Sequence, residues 1–481
     1  MQLAMEFGPR RLLPVVVMSL RGMPGHGNLV PLVLAVEIFM APRVDPVQSD
    51  SVTPTRTRVV VVGGGIIGAS TAFFLARKGV PVVLCEKGYI AGEQSSRNWG
   101  WCRKMGRDPR EIPLSIEALR LWRELNTLTG AETGFRQSGI LYLCKTADDV
   151  AKREAWLEQA RPFQLDTRLI SRDEVARVLP GLAGDWQGAL YTPSDGRGEP
   201  QKATPAIAEA ARHHGATILQ QCAVRGIETQ GGRVAAVVTE RGRITCDSVV
   251  LAGGVWSRLF CGNLDLRLPQ LKVMSSVMRT EALDGGPEAS CSGFGFGLRK
   301  RLDGGYNVAS WSGNVVDIVP DTLRFFGDFL PALRLQWRQM RLRIGGKFLE
   351  EWRVPRHWSL DAPSPFERVR TLDPEPYEPI LRQARDSVTA AFPAFRDMKV
   401  AESWGGVIDV TPDAVPVISG VDTLPGFFIA TGFTGHGFGI GPGAGRLMAD
   451  LVTGDTPVVD PTAFRYSRFT DGSRPQPSPL A

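Results

Sequence analysis

The stretch from Val59 to Glu86 most constrains what this 481-residue chain folds into. Four β-formers, Val59 to Val62, run straight into Gly63-x-Gly65-x-x-Gly68. Residues 69–78 carry a helical pattern, Gly79 stops it, and a second apolar run over residues 80–85 ends on Glu86. This is a βαβ unit of about thirty residues with the fingerprint of a dinucleotide site. Gly63 makes the tight turn, Gly65 lets the backbone approach a pyrophosphate, and Gly68 lets the helix pack on the strand. The helix N-terminus presents free N–H groups and a positive dipole end to the phosphates. Glu86 stands where it accepts from a ribose 2′-hydroxyl, which argues against a 2′-phosphate.

No second strand–GxGxxG–helix follows; Leu251-Ala-Gly-Gly254 lacks the spacing. The C-terminus offers another glycine-rich segment. Residues 427–430 read as a buried strand, residues 431–443 as a glycine-rich loop, and residues 444–452 as a helix stopped by Gly454. Such a loop opening a helix aims N–H groups at the electron-rich edge of a flavin ring. The two loops together suggest noncovalent FAD held along its length. Gly63, Gly65 and Gly68 take the pyrophosphate, and Gly432, Gly435, Gly437, Phe438 and Gly439 take the isoalloxazine. The polar segment after Glu86 contains Lys87, Ser95, Ser96 and Arg97 and supplies donors to phosphate and ribose. Val224 and Gly253 are added to the cofactor set. A glycine-rich surface loop is the alternative for the second segment.

Composition bounds the rest. With 43% hydrophobic and 22% charged residues the chain has a soluble globular make-up and room for about two domains. Its net charge of +6 is small for the length, and no Arg/Lys block marks a nucleic-acid partner. Seven cysteines without a Cys-x-x-Cys pair fit free thiols in a reducing compartment. Five histidines show no ligand spacing, so no metal is expected. A cytoplasmic location follows, with peripheral attachment to the inner membrane left open.

The fold class expected is α/β: a discontinuous Rossmann-type FAD-binding domain over 58–135, 195–260 and 412–460. A mainly antiparallel β-sheet substrate domain fills 136–194 and 261–411. Residues 1–57 read as a disordered extension or weak anchor. Pro14, Pro31 and Glu37 keep their apolar runs below the ~18 residues of a spanning helix. Met40 is an alternative start, which leaves open whether residues 1–39 are translated. Residues 461–481 read as a tail, loose from Ser473. Within 322–352, Phe326, Leu330, Leu333, Trp337, Met340 and Ile344 recur at helical spacing, with arginines largely off that stripe. This reads as an amphipathic helical insertion, packed on the core or lying on an anionic membrane.

Five further stretches carry a family likeness: Glu86-Lys-Gly-x-Ile-Ala-Gly-Glu-Gln-Ser-Ser-Arg97, Cys222-Ala-x-Arg-Gly-x-Glu-Thr-Gln230, Ala252-Gly-Gly-Val-x-Ser-Arg-Leu-Phe260, Ser364-Pro-Phe-Glu367 and Phe392-Pro-Ala-Phe395, with Asp413 and Pro416. From about Arg58 to Tyr466 the chain resembles the D-amino-acid-oxidase superfamily of FAD oxidoreductases. Within it the likeness is to the bacterial membrane-associated L-amino acid deaminases. The resemblance implies oxidation of an amino acid or related amine to an imine, which water converts to a 2-oxo acid and ammonia. Electrons would pass to a quinone or another acceptor. It also implies a carboxylate-binding Arg on a strand before an Asp-Gly turn, which Arg299 matches.

Two substrate-contacting Gln positions of the deaminases fall at Trp101 and near Ser275. Trp99 and Trp101 either wall the pocket or pack the loop. Asp409 follows Trp404-Gly-Gly-Val-Ile408 where many superfamily oxidases have Arg-Pro; it would pair with a substrate ammonium or cap a turn. His436, in Gly435-His-Gly-Phe-Gly439, is a candidate donor near the flavin. Oxidation of a 2-hydroxy acid or secondary amine, and a non-catalytic flavin-binding role, are the alternatives.

Overall fold

The computed structural model describes residues 42–310, 314–337 and 340–478. The fingerprint forms as expected: β1 (Val59–Val62), α1 (Ile66–Arg77) and β2 (Val82–Cys85), with β1 and β2 parallel and Val59 opposite Val82. Four more strands join them: β3 (Thr217–Leu219), β4 (Ser248–Leu251), β5 (Val417–Gly420) and β6 (Phe427–Thr431). The sheet order is β5-β6-β4-β1-β2-β3, parallel except for the β5–β6 pair. The chain's last strands therefore lie beside β4.

Period-2 alternation sorts the sheet's two faces. Val59 and Val61 bury against helices, while Val60 and Val83 bury against a three-stranded antiparallel sheet through Ile227, Val237 and Ile244. Covered on both sides, β1 reads as an unbroken valine run. The helical layer holds α1, α2 (Ile112–Thr129), α3 (Pro200–His213) and α4 (Gly437–Thr453).

The loop read over residues 431–443 is shorter than expected, because α4 already begins at Gly437. Its glycines are points of close approach rather than loop. A Cβ on Gly441 would come 2.9 Å from the Ile66 side chain, and one on Gly445 2.3 Å from Ser70 Cβ. α4 thus lies directly on α1.

The second sheet has ten strands. Its longest pairing is antiparallel, between Leu271–Thr280 and Val400–Val410, with Ser275 opposite Gly406. Phe296–Lys300 and Tyr306–Ala309 form a hairpin beside them. The sheet is mixed rather than purely antiparallel: Ile140–Cys144 runs parallel to Ser290–Gly293, and Asn314–Asp317 parallel to Met340–Arg343.

That last pairing corrects the insertion. Residues 322–352 are not one helix but Pro320–Arg324, Phe326–Gln336, the strand Met340–Arg343 and Lys347–Trp352. Gly345-Gly346 separates the last two, and the non-local pairing overrides the helical period. Of the stripe, Phe326, Trp337 and Ile344 are exposed and Leu330, Leu333 and Met340 half-buried, so none of it is core; Leu323, Leu335, Leu342, Leu349 and Trp352 beside it are exposed too.

The N-terminal end needs correction too. Residues 42–57 are docked rather than disordered: Asp45 N–H donates to the Gln201 carbonyl, Asp50 N–H to that of Ile218 and Thr57 N–H to that of Thr245. The question about residues 1–39 lies outside the described residues. The tail from residue 461 packs through Phe464 and Tyr466, and Arg468 forms a buried pair with Asp413 at 3.1 Å.

Candidate active site

Both sheets open onto one cavity. It runs from Gly63 and Gly65 past Glu86, Val224 and Gly253 to Gly435, Gly437 and Phe438. Ser275 and residues 406–409 of the second sheet wall its far end. With its mouth and the open solvent there it encloses about 1420 Å³.

The near end is built on backbone. Gly63 takes φ +111°, and a Cβ there would stand 2.4 Å from the Ala252 carbonyl oxygen. A Cβ on Gly68 would stand 1.9 Å from the Gly63 carbonyl oxygen, so Gly68 holds α1 against the turn rather than lining the cavity. Ser95 Oγ accepts from Ile66 N–H at 2.8 Å, at the α1 N-terminus. Gly64 and Gly88 N–H donate to the two Glu86 oxygens at 2.6 and 2.7 Å. Burial raises the Glu86 carboxyl above its usual range, and Lys87 opposes that rise.

Lys87 and Arg97 line the cavity, but their cationic groups are engaged elsewhere. Lys87 Nζ donates to Glu93 and to the carbonyls of Val369 and Arg370. Arg97 donates to Asp373 at 2.6 Å and to the Gly405 carbonyl at 3.0 Å. Arg97 thus ties the loop to the second sheet and Lys87 ties it to residues 369–370. Ser96, Gly432 and Gly439 stand behind the wall. Ser96 bonds the Glu93 carbonyl, Gly432 N–H donates to Asp409, and Gly439 packs on the Trp101 carbonyl.

The expected substrate residues are rearranged more deeply. Arg299, 1% exposed, does not reach the cavity. It forks onto Glu199 at 2.8 and 3.2 Å, with the Gly100 backbone over its guanidinium. Trp101 is buried in a cluster with Met105, Ile112 and Tyr142, edge-on to Trp99, so it packs the loop. Asp409 is at the wall with one oxygen engaged: Oδ2 accepts from Gly432 N–H (2.7 Å), Gln270 Nε2 (3.0 Å) and Thr431 Oγ1 (3.0 Å). Through Oδ2 it braces the turn after β6.

His436 caps α4 between two cavity-lining glycines, and its imidazole faces Glu111 and Arg103. Burial, then Arg107 and Arg103, hold its pKa well below the usual histidine value, so the ring is neutral. Sequence reasoning missed Gln94, Asn98, Trp256, Phe366 and Phe433 on the wall. Phe366 lies in the quoted Ser-Pro-Phe-Glu stretch and Gln94 in the quoted Glu86–Arg97 stretch, so two signals were present. Among the described residues no group of His, Cys, Asp and Glu is arranged to hold a metal ion, and none of the helices is long and apolar enough to cross a membrane.

A largely parallel sheet with helices on one face, this cradle at its edge and a second sheet closing the cavity's far end fits a flavin-dependent oxidoreductase. The chain belongs to the FAD dependent oxidoreductase family, whose model matches residues 58–451. Its fold is similar to the L-amino acid deaminase of Proteus myxofaciens, solved with anthranilate: 35% identity, TM-score 0.87, covering 90% of this chain and 98% of that one. The Proteus vulgaris L-amino acid deaminase gives 34% identity and TM-score 0.84, covering 89% and 100%.

Among curated sequences, 4-methylaminobutanoate oxidase (formaldehyde-forming) of Paenarthrobacter nicotinovorans is 27% identical over 92% of this chain and 48% of its own length. Mouse mitochondrial sarcosine dehydrogenase is 25% identical over 86% and 42%. The chain thus spans about half the length of these relatives or less. Glycine oxidase of Pseudomonas aeruginosa is 25% identical over 85% of this chain and 98% of its own length. The relatives are amino acid and amine oxidoreductases, and the chain is an FAD-dependent enzyme of their family.

The cavity fits FAD on its own terms: a glycine cradle at a helix N-terminus, a capping hydroxyl and an acid beyond β2. Gly65→Val is therefore expected to yield protein that purifies without flavin. A side chain there fills the cradle beside Ser95, where even a Cβ stands 3.1 Å from Oγ. FAD affinity, measured by flavin fluorescence, should weaken roughly hundredfold or more. Retention of yellow colour would place the pyrophosphate elsewhere.

Proposed function

We propose that this enzyme oxidises an amino acid or a related amine to an imine, which water hydrolyses to a 2-oxo acid and ammonia. The observation that carries this reading is the end-to-end fold match with the Proteus deaminases, joined to a cavity end of small and apolar side chains. Gly63, Gly65, Glu86 and Ser95 would hold the FAD nucleotide, and Gly435, Gly437 and Phe438 its ring. When bound, the flavin supplies the two-electron acceptor for the substrate's α C–H.

The chain's own residues orient the substrate and exclude water. Ser275, Val407, Ile408 and Phe433 line the cavity, and the Asn98 amide is engaged with the Gln94, Ser95 and Gly100 backbone. This favours a modest apolar side chain. Among the described residues on the cavity wall the one guanidinium, that of Arg97, is held by Asp373 and the Gly405 carbonyl. A second reading, a secondary amine, is in keeping with the 4-methylaminobutanoate and sarcosine relatives.

Anaerobic bleaching of the bound flavin against a panel of primary amino acids, N-methyl amino acids and 2-hydroxy acids tests this. Ammonia released in step with bleaching supports the first reading, and an aldehyde without ammonia the second. Bleaching by hydroxy acids alone sinks both.

We also propose peripheral membrane contact through residues 320–352, with a quinone or similar acceptor. The exposed Leu335, Trp337, Ile344 and Trp352 support it, with Arg334, Arg341 and Lys347 close in sequence. Each such side chain contributes about 1.5–3 kcal/mol when buried. Replacing Trp337, Ile344 and Trp352 together by serine should lower binding to anionic vesicles at least tenfold, with flavin bleaching unchanged. Equal vesicle binding by both proteins would refute the contact.

A further inference from the structure

Asp409 is a buried acid on the cavity wall with one oxygen in use and one left over. Its side chain is 2% exposed, and among the described residues it forms no ion pair. Oδ2 is fully engaged by Gly432, Gln270 and Thr431. Those donors are fixed in turn: Gln270 Oε1 accepts from Arg258 N–H at 3.0 Å, and Gln270 and Thr431 are 3% and 1% exposed. Oδ1 takes no hydrogen bond among the described residues; the nearby Gln94 amide accepts from the Asp409 N–H through Oε1 at 3.4 Å. Oδ1 is also not among the polar atoms walled off in the interior without a partner. The little surface it keeps therefore lies on the cavity. A buried carboxylate oxygen in that position calls for a donor from a ligand.

The direction of the side chain narrows the choice of ligand. Successive residues of a strand point to opposite faces. Ile408 faces the second glycine-rich turn, where a Cβ on Gly435 would stand 3.7 Å from its Cδ1. Asp409 faces the other way, toward the ends of β4 and β6, where Thr431 Oγ1 stands 3.1 Å from the Gly254 carbonyl oxygen. In the first sheet β2, β1, β4 and β6 are successive neighbours. Glu86 follows β2, Gly63 and Gly65 follow β1, Gly253 and Gly254 follow β4, and Thr431 ends β6. A dinucleotide with its ribose at Glu86 and its pyrophosphate at Gly63 would next cross β4 and β6, at about 4.8 Å per strand. Only then would its ring reach Gly435 and Gly437. In FAD the part between pyrophosphate and ring is a sugar-alcohol chain. Its hydroxyls donate, and a carboxylate accepts only.

We propose that Asp409 Oδ1 accepts a hydrogen bond from a hydroxyl of that chain, so that the cofactor meets an acid at each of its two sugars. This rests on the cofactor placement given above, with the nucleotide on Gly63 and Gly65 and the ring on Gly435 and Gly437. No covalent bond is made or broken. Asp409 is a cofactor-binding residue in this scheme, and the substrate lies on the Ile408 side of the strand, with the ring.

The test is binding to the cofactor-free protein, followed by flavin fluorescence, of FAD and of FAD analogues that each lack one hydroxyl of the chain. One analogue should bind the unsubstituted protein at least roughly tenfold more weakly than FAD, the usual weight of a hydrogen bond to a charged group. Asp409→Asn keeps an acceptor for Gly432, Gln270 and Thr431 and puts an N–H where the hydroxyl's acceptor was. It should weaken FAD by a similar factor. The same analogue should then lose little more in Asp409→Asn, because the two changes remove one contact. ADP, which lacks chain and ring, should displace FAD and bind both proteins alike.

Analogues that all match FAD in the unsubstituted protein overturn the proposal, whatever the variant does. So does an analogue whose loss is as large in Asp409→Asn as in the parent. Asp409→Asn with the parent's FAD affinity also overturns it and leaves Oδ1 to the substrate. If ADP does not displace FAD, the nucleotide placement fails, and the coupling between Asp409 and the hydroxyl still decides this contact.

Discussion

Arg299→Ala is expected to destabilise the folded chain by about 3–5 kcal/mol, the usual consequence of removing one partner of a buried ion pair. Arg299 and Glu199 have side chains 1% and 5% exposed and meet at 2.8 Å. Burial works against the ionised form of Glu199, but the attraction and hydrogen bonds of Arg299 outweigh it, so the carboxyl lies below its usual range. Arg301 at 4.0 Å and the Leu302 N–H at 2.8 Å would remain after the substitution. These remaining contacts place the effect toward the lower end of the range.

The sign with pH is fixed by the depressed carboxyl. Its stabilising contribution is present above the unfolded pKa of about 4.3 and is lost as pH falls through the folded value. The penalty of Arg299→Ala should therefore shrink in acid, once Glu199 is protonated. Adding Glu199→Leu, with Arg299→Met in place of alanine, should recover most of the stability, since a packed apolar pair often matches a buried ionic one. Denaturant midpoints on flavin-free protein avoid stabilisation by bound cofactor. A variant as stable as the parent that no longer oxidises amino acids would restore Arg299 as the carboxylate anchor.

That residue shows where sequence reading stops. Local period and turn chemistry located the strand around Arg299 and the turn at Asp303-Gly304. They carry no information on which acid, a hundred residues earlier, meets the guanidinium. Glu199 sits just before Pro200 at the start of α3, where nothing in its spacing sets it apart. The βαβ unit was legible because its glycines, valines and acid act within thirty residues of one another. The strand over residues 427–430 forms as β6 for the same reason.

Glycine near the C-terminus misled, because a glycine needed for close helix packing and one needed for a loop look alike in one sequence. In α4 the packing role won, which is why the helix starts at Gly437. The insertion failed differently. Its helical period spans Met340–Arg343, but pairing with Asn314–Asp317 made that segment a strand. Asp409 was read as either an ammonium partner or a turn cap. The folded neighbours Gln270, Thr431 and Gly432 give its Oδ2 the turn-bracing role.

The second large effect concerns Trp122, where packing and cofactor site meet. Its ring is 1% exposed and lies 5.1 Å from Phe438, which lines the cavity, and 5.8 Å from Phe135. Its indole N–H donates to the Gly439 carbonyl at 2.8 Å. One side chain of α2 thus holds the first turn of α4, the turn that would support the flavin ring. Trp122→Ala leaves a large cavity and removes that hydrogen bond, so a loss of about 3–5 kcal/mol is expected. Phe438 loses its backing, and FAD affinity should fall with stability. Trp122→Phe keeps most of the apolar volume and gives up the hydrogen bond, worth about 1 kcal/mol. Denaturation of the flavin-free variants and FAD titration at fixed temperature separate the two consequences. If Trp122→Ala loses stability but binds FAD as tightly as the parent, Phe438 is not held in place by this ring.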